Sequence, residues 1–484
     1  MHFIQPERHS RRAFLRRAGQ LAFAGAALPT ALNLVAMGEA AAAQASDYKA
    51  LVCVFLFGGN DYANTVVTYD EASYARYNTV RGGHPDFSGG GIALARADLA
   101  ATLLQPRTPL ANERQYALPP EMSGLANLFN SGAAAVQLNV GPLMVPMTRA
   151  DYNNPSVKRP PRLFSHNDQQ SVWQTSSAEG ATTGWGGHLG DLALASNGTN
   201  HVLTCVSVAG NTVFLSGEQA LSYQVSSGGA VKINSLSQPV YNAPAVRDAL
   251  LQLALQKRNH RLENAYNQVT ARAFSTEATV SDALSAFPAT DAPFSHFPSQ
   301  NSLADQLKLV ARMIAARDLL GTRRQVFFVS LGGFDLHDNL MAKQPVLLGQ
   351  VSSALTAFHA ATVSLKVAEQ VTAFTASDFG RTLQSNGDGS DHGWGAHHFL
   401  VGGSVRGQAF YGQAPPVSVT NSTTDADDQW HVGQGRLLPS TSVDQYAATL
   451  AQWFGVPDSA MAAIVHNLRQ FGGSDYPTDI GFMR

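Results

Sequence analysis

The chemistry this chain could perform is concentrated in a few acids and histidines set near glycine pairs. Asp61 ends the run Leu51-Val52-Cys53-Val54-Phe55-Leu56-Phe57-Gly58-Gly59-Asn60-Asp61, and Asp335 ends Val326-Phe327-Phe328-Val329-Ser330-Leu331-Gly332-Gly333-Phe334-Asp335. His337 follows two residues later. Asp378 closes a third apolar run, Val371 to Ala376, and Asp391-His392 comes shortly after it. Mixed carboxylate and imidazole ligands suit Zn, Mn or a similar ion better than Ca, which prefers an all-oxygen shell. One ion, or two bridged by carboxylates, would fit such a set, and two would hold both ends of an in-line displacement.

Each group also has a plainer role. A lone Asp at a strand end commonly caps a helix or forms a turn, but its recurrence after two Gly-Gly pairs favours a cation between Asp61 and Asp335. Asp378 reads equally as a turn cap, and Arg381 either pairs with it or binds a substrate anion. His397 and His398 precede the apolar Phe399-Leu400-Val401, so at least one of them is structural. His431, beside Trp430 in a polar stretch, is expected to face solvent. Ser165 begins a Ser-x-x-Asp pattern with Asp168: its hydroxyl is either an N-cap or a nucleophile activated by a helix N-terminus and a nearby ion. His166 and Asn167 either share that pocket or face solvent.

The elements that must position these groups follow from pattern. Continuous β-branched and aromatic runs without polar alternation are strands buried on both faces, which belong in a parallel sheet covered by helices. Acids leaving such strands at their carboxyl ends enter the crevice where open α/β sheets bind ligands. Strands are expected near Ala133–Val140 and Val202–Val208. Helices are expected near Glu121–Asn130, Gln169–Gln174, Gly187–Ala195, Ala245–Phe274, 302–319 and Leu340–Ser364. Ser442-Val443-Asp444-Gln445 is a capping box opening a helix to about Phe454. Ser-, Ala-, Asn- and Thr-rich composition marks residues 210–300 as an insertion in one domain spanning 46–484.

Ser10-Arg11-Arg12-Ala13-Phe14-Leu15, the mildly apolar stretch after it and Ala43-Gln44-Ala45 have the form of a twin-arginine export leader, residues 1–45, which would place the mature protein in the periplasm or outside the cell. The chain carries 33 Lys and Arg against 35 Asp and Glu, and losing the leader's five arginines and two acids leaves a net charge near −5. With 14% charged residues there is no basic stripe, which excludes nucleic acid as a partner, and no polybasic patch for membranes is read, so a small molecule is expected. No later stretch is read as a membrane span. Cys53 and Cys205 sit in strand-like runs, either paired or as buried thiols.

The leader, the first Gly-Gly-x-Asp, Ser165-His166, Gly332-Gly333-Phe334-Asp335-x-His337, Ser377-Asp378-Phe379-Gly380-Arg381-Thr382 and Asp391-His392-Gly393, in that order, resemble a large bacterial family of exported proteins catalogued as a domain of unknown function. The likeness covers almost the whole mature chain. That family in turn looks like a distant branch of the alkaline phosphatase and sulfatase superfamily. The resemblance implies a three-layer α/β fold with a mainly parallel central sheet, helices on both faces and insertions. It also implies Ser165 as nucleophile, Asp61 with Asp391 and His392 on one ion, and Asp335 with His337 on a second. Two departures leave a variant of this assignment open. The superfamily spaces its Asp and His four apart rather than two, and its Asp-His pair sits at a strand end, so Asp378 is the alternative holder of the first ion, freeing His392 or His397 for another role. The implied activity is metal-dependent hydrolysis of a small anionic phosphate or sulfate ester, with Arg381 on the anion. The alternative is a non-catalytic secreted scaffold or binding protein that keeps the fold.

Overall fold

A computed structural model describes residues 47–82, 91–232 and 243–484. The leader pattern and Ala43-Gln44-Ala45 lie outside the described residues. The ten strands of the central sheet, in chain order, are β1 (Lys49–Leu56), β2 (Ala134–Gly141), β3 (Cys205–Ser207), β4 (Ser222–Ser226), β5 (Gly229–Ala230), β6 (Arg324–Leu331), β7 (Val371–Ser377), β8 (Ala396–Gly402), β9 (Phe410–Tyr411) and β10 (Thr441–Ser442). Their spatial order is β9-β2-β8-β7-β1-β6-β3-β4-β5, with β10 also on β2. The pairs β7-β1-β6-β3-β4 are parallel, and β8 runs antiparallel between β7 and β2.

The described α-helices of eight or more residues are α1 (Glu71–Val80), α2 (Ser123–Asn130), α3 (His166–Thr175), α4 (Trp185–Ala193), α5 (Pro244–Leu255), α6 (Arg261–Ser285), α7 (Ser302–Ala315), α8 (Leu340–Ser364) and α9 (Val443–Phe454). Side chains of β1 alternate between two apolar layers. Val52, Val54 and Leu56 pack with α2, α7 and α8, while Leu51, Cys53 and Phe55 pack with α4 and α9. Both layers exclude water, which is why the strand sequence shows no polar alternation. The result is a three-layer α/β fold with a mainly parallel sheet.

Registration delivers the site. Leu56 stands opposite Leu331 of β6 and Ser377 of β7, so three adjacent strands end at one level and release their turns side by side. The first two turns interlock, with the Phe334 amide donating to the Phe57 carbonyl at 3.1 Å. Gly58 makes this approach possible: at φ +116° a Cβ would lie 2.3 Å from the Asp335 nitrogen. Gly59, at φ +82°, leaves the space that the Phe379 ring of the third turn fills.

Several expectations shift. The helix read across Ala245–Phe274 is two helices, broken over 256–260, where five polar residues interrupt the apolar pattern and the Asn264 and Asn267 side chains bond the freed backbone of Arg258 and Gln256. His397 and His398 lie inside β8 rather than before it. Cys53 and Cys205 are buried free thiols on β1 and β3, with β6 between them. The helix α8 is long and apolar enough by length and composition to cross a membrane, against the reading that no later stretch is, yet its Leu348, Val351, Leu355 and Phe358 pack in the core. The capping box at Ser442 and Gln445 opens α9 as read.

Asp61 is held by Arg81, which directly follows α1 and is fully buried. Its Nη2 lies 2.9 Å from Asp61 Oδ2, and its Nη1 donates to the carbonyls of Thr382 and Leu383. Removing one member of such a pair strands the other charge. Asp61→Ala is therefore expected to cost about 3–5 kcal/mol in denaturant unfolding, well above the ~1 kcal/mol of a lost cap. A second effect concerns Asp444 in the first turn of α9, where burial pushes the carboxyl up to about 7 despite the Asn467 amide donating to it at 3.0 Å. The folded chain then holds a proton that the unfolded chain releases near 4, so stability falls as pH rises from about 4 to 7 and is level above that. Between those limits Asp444→Asn should remove a slope approaching 1.4 kcal/mol per pH unit, measured as the difference from the wild type.

Candidate metal centre

Asp335, on the turn after β6, is the hub. His166 opens α3 with its Nε2 3.4 Å from Asp335 Oδ2, while the Nε2 atoms of His337 and His392 each lie 3.2 Å from Asp335 Oδ1. Ligand atoms of His166, Asp335 and His392 all lie within 4.8 Å of one another.

Each ring is fixed from behind. His166 Nδ1 is 2.6 Å from Asp378 Oδ2, His337 Nδ1 is 3.0 Å from Asp391 Oδ1, and His392 Nδ1 is 2.7 Å from the Phe164 carbonyl. A carbonyl can only accept, so His392 carries its proton on Nδ1 and turns a bare Nε2 lone pair toward a carboxylate oxygen. His337 lies between two carboxylates, Asp391 at Nδ1 and Asp335 at Nε2. Acceptors facing an acceptor at this range repel unless a proton or another cation lies between them, and imidazoles that ligate a metal are commonly anchored at Nδ1 by a carboxylate or carbonyl. Asp378 adds an observation of its own. It is fully buried, its Oδ2 also receives Gln170 at 2.8 Å, and its Oδ1 has no hydrogen-bond donor. The donor set fits a divalent ion of the Zn or Mn kind.

The electrostatics divide the histidines. The hydrogen bond to Asp378 raises the His166 pKa, whereas burial lowers that of His392 and favours its neutral form. Burial works against ionisation of Asp335, but the hydrogen bond and charge of Arg381, with His166 and His337 nearby, hold its carboxyl below the ordinary range. Asp391 is likewise lowered against burial by hydrogen bonds from Asn386 and His337.

Of the residues singled out in the sequence, Asp335, His337, Asp378, Asp391 and His392 are brought together. Asp391 reaches the centre through His337. Asp61 and His397 are not brought there. Asp61 is 3% exposed, its Oδ1 accepts from the Asn64 amide and its Oδ2 from Arg81 and Ser390, so its charge is met within the fold. His397 is buried in β8, where its Nδ1 accepts from the Asn139 amide and burial lowers its pKa to about 3. Arg381 is fully buried, and its guanidinium is spent on Asp335 at 2.8 Å, on Gly58 O and on Ser390 O. It braces Asp335 and pairs with no Asp378 oxygen. Ser165 is the N-cap of α3 without a capping hydrogen bond, and its Oγ donates to the buried Asp168 at 2.9 Å.

His431, expected in solvent, is 2% exposed, with Nε2 3.2 Å from the buried Asp428. The residue that sequence reasoning undervalued is His166. Its only local signal was its place directly after Ser165 at a helix start, since the Asp378 that orients it lies 212 positions away.

No curated protein matches the chain. The family model described as "Protein of unknown function (DUF1501)" matches residues 48–434, most of the chain, and the chain belongs to that family.

Proposed function

We propose that this chain is an exported, metal-dependent hydrolase of phosphate or sulfate esters, a distant relative of the alkaline phosphatases and sulfatases. The observation that carries the reading is the convergence of three imidazole Nε2 atoms on the Asp335 carboxylate, each ring anchored at Nδ1. Export rests on the Ser10-Arg11-Arg12 pattern.

His166, Asp335 and His392 would hold the ion, with Asp378 and His337 beside them. A divalent ion bound there supplies Lewis-acid stabilisation of charge developing on a transferred phosphoryl or sulfuryl group. The chain's own residues do the rest. Ser165 stands next to His166 at the N-terminus of α3, and its hydroxyl proton is already directed to Asp168, a nucleophile and base within hydrogen-bond reach. Its Oγ bonds to the phosphorus or sulfur as the ester oxygen departs and takes a proton from solvent, and the serine proton passes to Asp168. Water then cleaves the seryl ester and restores Ser165. Arg381 serves by positioning Asp335 rather than by meeting the anion.

A single ion is favoured over two, because Asp61 is buried and its charge is already paired with Arg81. The competing reading, a secreted scaffold or binding protein that keeps the fold, with or without an ion, draws on the commitment of Ser165 to Asp168 and of Arg381 to Asp335.

Purified protein is expected to carry about one equivalent of Zn or Mn by elemental analysis. Asp335→Asn or His392→Ala should lose it, and Asp378→Asn should weaken its affinity by about 10–100-fold. Ser165→Ala should keep the metal and abolish hydrolysis of an aryl phosphate or sulfate, and Asp168→Asn should slow it by about 10²–10⁴-fold. A metal-loaded wild type no more active than Ser165→Ala, or a metal-free, inert but stable protein, supports the scaffold and defeats the hydrolase.

A further inference from the structure

Away from this centre, the segment 210–300 carries a helix pair of which only the second half of α6 reaches the core, through Val280, Ala283 and Leu284. None of the twelve residues of α5 is fully buried, and buried positions in α6 begin only at Thr276. A twelve-residue helix is marginal in water by its own hydrogen bonds, and α5 has only partial burial to add to them.

Its outer surface is apolar. On α6, Leu262 (74% exposed), Tyr266 (71%) and Val269 (63%) follow one another at steps of four and three and form one stripe. On α5, Val246 and Leu253 are exposed two turns apart on one face, and Leu255 is exposed at the helix end. Six of the eleven large hydrophobic side chains exposed among the described residues thus fall between 246 and 269.

The same segment is basic in a chain of net charge −2. Arg247 and Asp248 neutralise each other, while Lys257, Arg258 and Arg261, at the connection between the helices, form no ion pair among the described residues. Charge selects the occupant. A second copy would bring only the same net-basic segment, whereas an anionic bilayer accepts the cations in its headgroups and the exposed apolar side chains at the acyl boundary. An exposed Tyr within the stripe suits that boundary. We infer that α5 and the first half of α6 form an interfacial docking element for an anionic lipid surface.

The test is co-sedimentation of the full chain with vesicles of phosphatidylglycerol and phosphatidylcholine against phosphatidylcholine alone. Every variant keeps the same N-terminus, so differences between variants report on the helix pair. Binding should be about tenfold or more stronger to the anionic vesicles and should fall at about 0.5 M salt. The triple change Leu262→Ser, Tyr266→Ser and Val269→Ser, and separately Lys257→Glu, Arg258→Glu and Arg261→Glu, should each reduce it by about tenfold or more with unchanged thermal unfolding of the body. Equal sedimentation of wild type and both variants overturns the inference, as does equal binding to neutral vesicles. It also fails if the wild type stays in the supernatant but sediments in the ultracentrifuge as a dimer that the apolar changes dissolve.

Discussion

Three neighbouring strands that run the same way and stop at the same level constrain everything beyond them. Because Leu56, Leu331 and Ser377 are aligned across β1, β6 and β7, the turns that follow compete for one small volume at the sheet's carboxyl edge. Only a backbone without a side chain at Gly58 lets the second turn close over the first, and that closure sets the height of Asp335. The site is therefore a product of strand register before it is a product of side-chain chemistry.

Charge is then distributed around that edge by two fully buried arginines. Arg81 takes Asp61 and ties the first turn to the hairpin of Arg381–Ser385 and Ser390–His392, while Arg381 takes Asp335 and the Ser390 carbonyl of the same hairpin. The two acids that look equivalent in sequence part ways. Asp61 is enclosed and fully bonded, whereas Asp335 stays 44% exposed with three imidazoles around it. Buried arginine, always charged, pairs each carboxylate and holds that of Asp335 below its ordinary range, and exposure separates the structural acid from the one open to a ligand.

How much of this was legible follows from the range of each interaction. The buried strands, α8 from Leu340 to Ser364 and the Ser442 capping box depend on neighbours within a few residues, and pattern alone locates them. The Gly-Gly turns were legible because an unbroken apolar run ending in glycine has few other uses. The partner of Asp61 was not, since Arg81 looks like any basic residue after a helix. His166 was open for a similar reason: nothing near it in sequence reveals Asp378. His431 was misjudged because the polar residues around it, Ser418, Thr420 and Ser422, fold onto Asp428 and build a buried polar core within the loop. Sequence supplies the ligand types, and contacts across hundreds of positions decide which of them meet.

Phe379 has a consequence of its own. Its ring occupies the room left by Gly59 and stacks within 4.8 Å of His166 and 4.7 Å of His392. Neither imidazole can swing without dislodging a ring wedged against main chain. The spacing of the two rings is therefore a product of packing, fixed by a phenylalanine that neither sheet nor helix needs for itself. For the ion we propose, a pair of rings held in this way would favour small cations over calcium, whose longer ligand distances ask the rings to part.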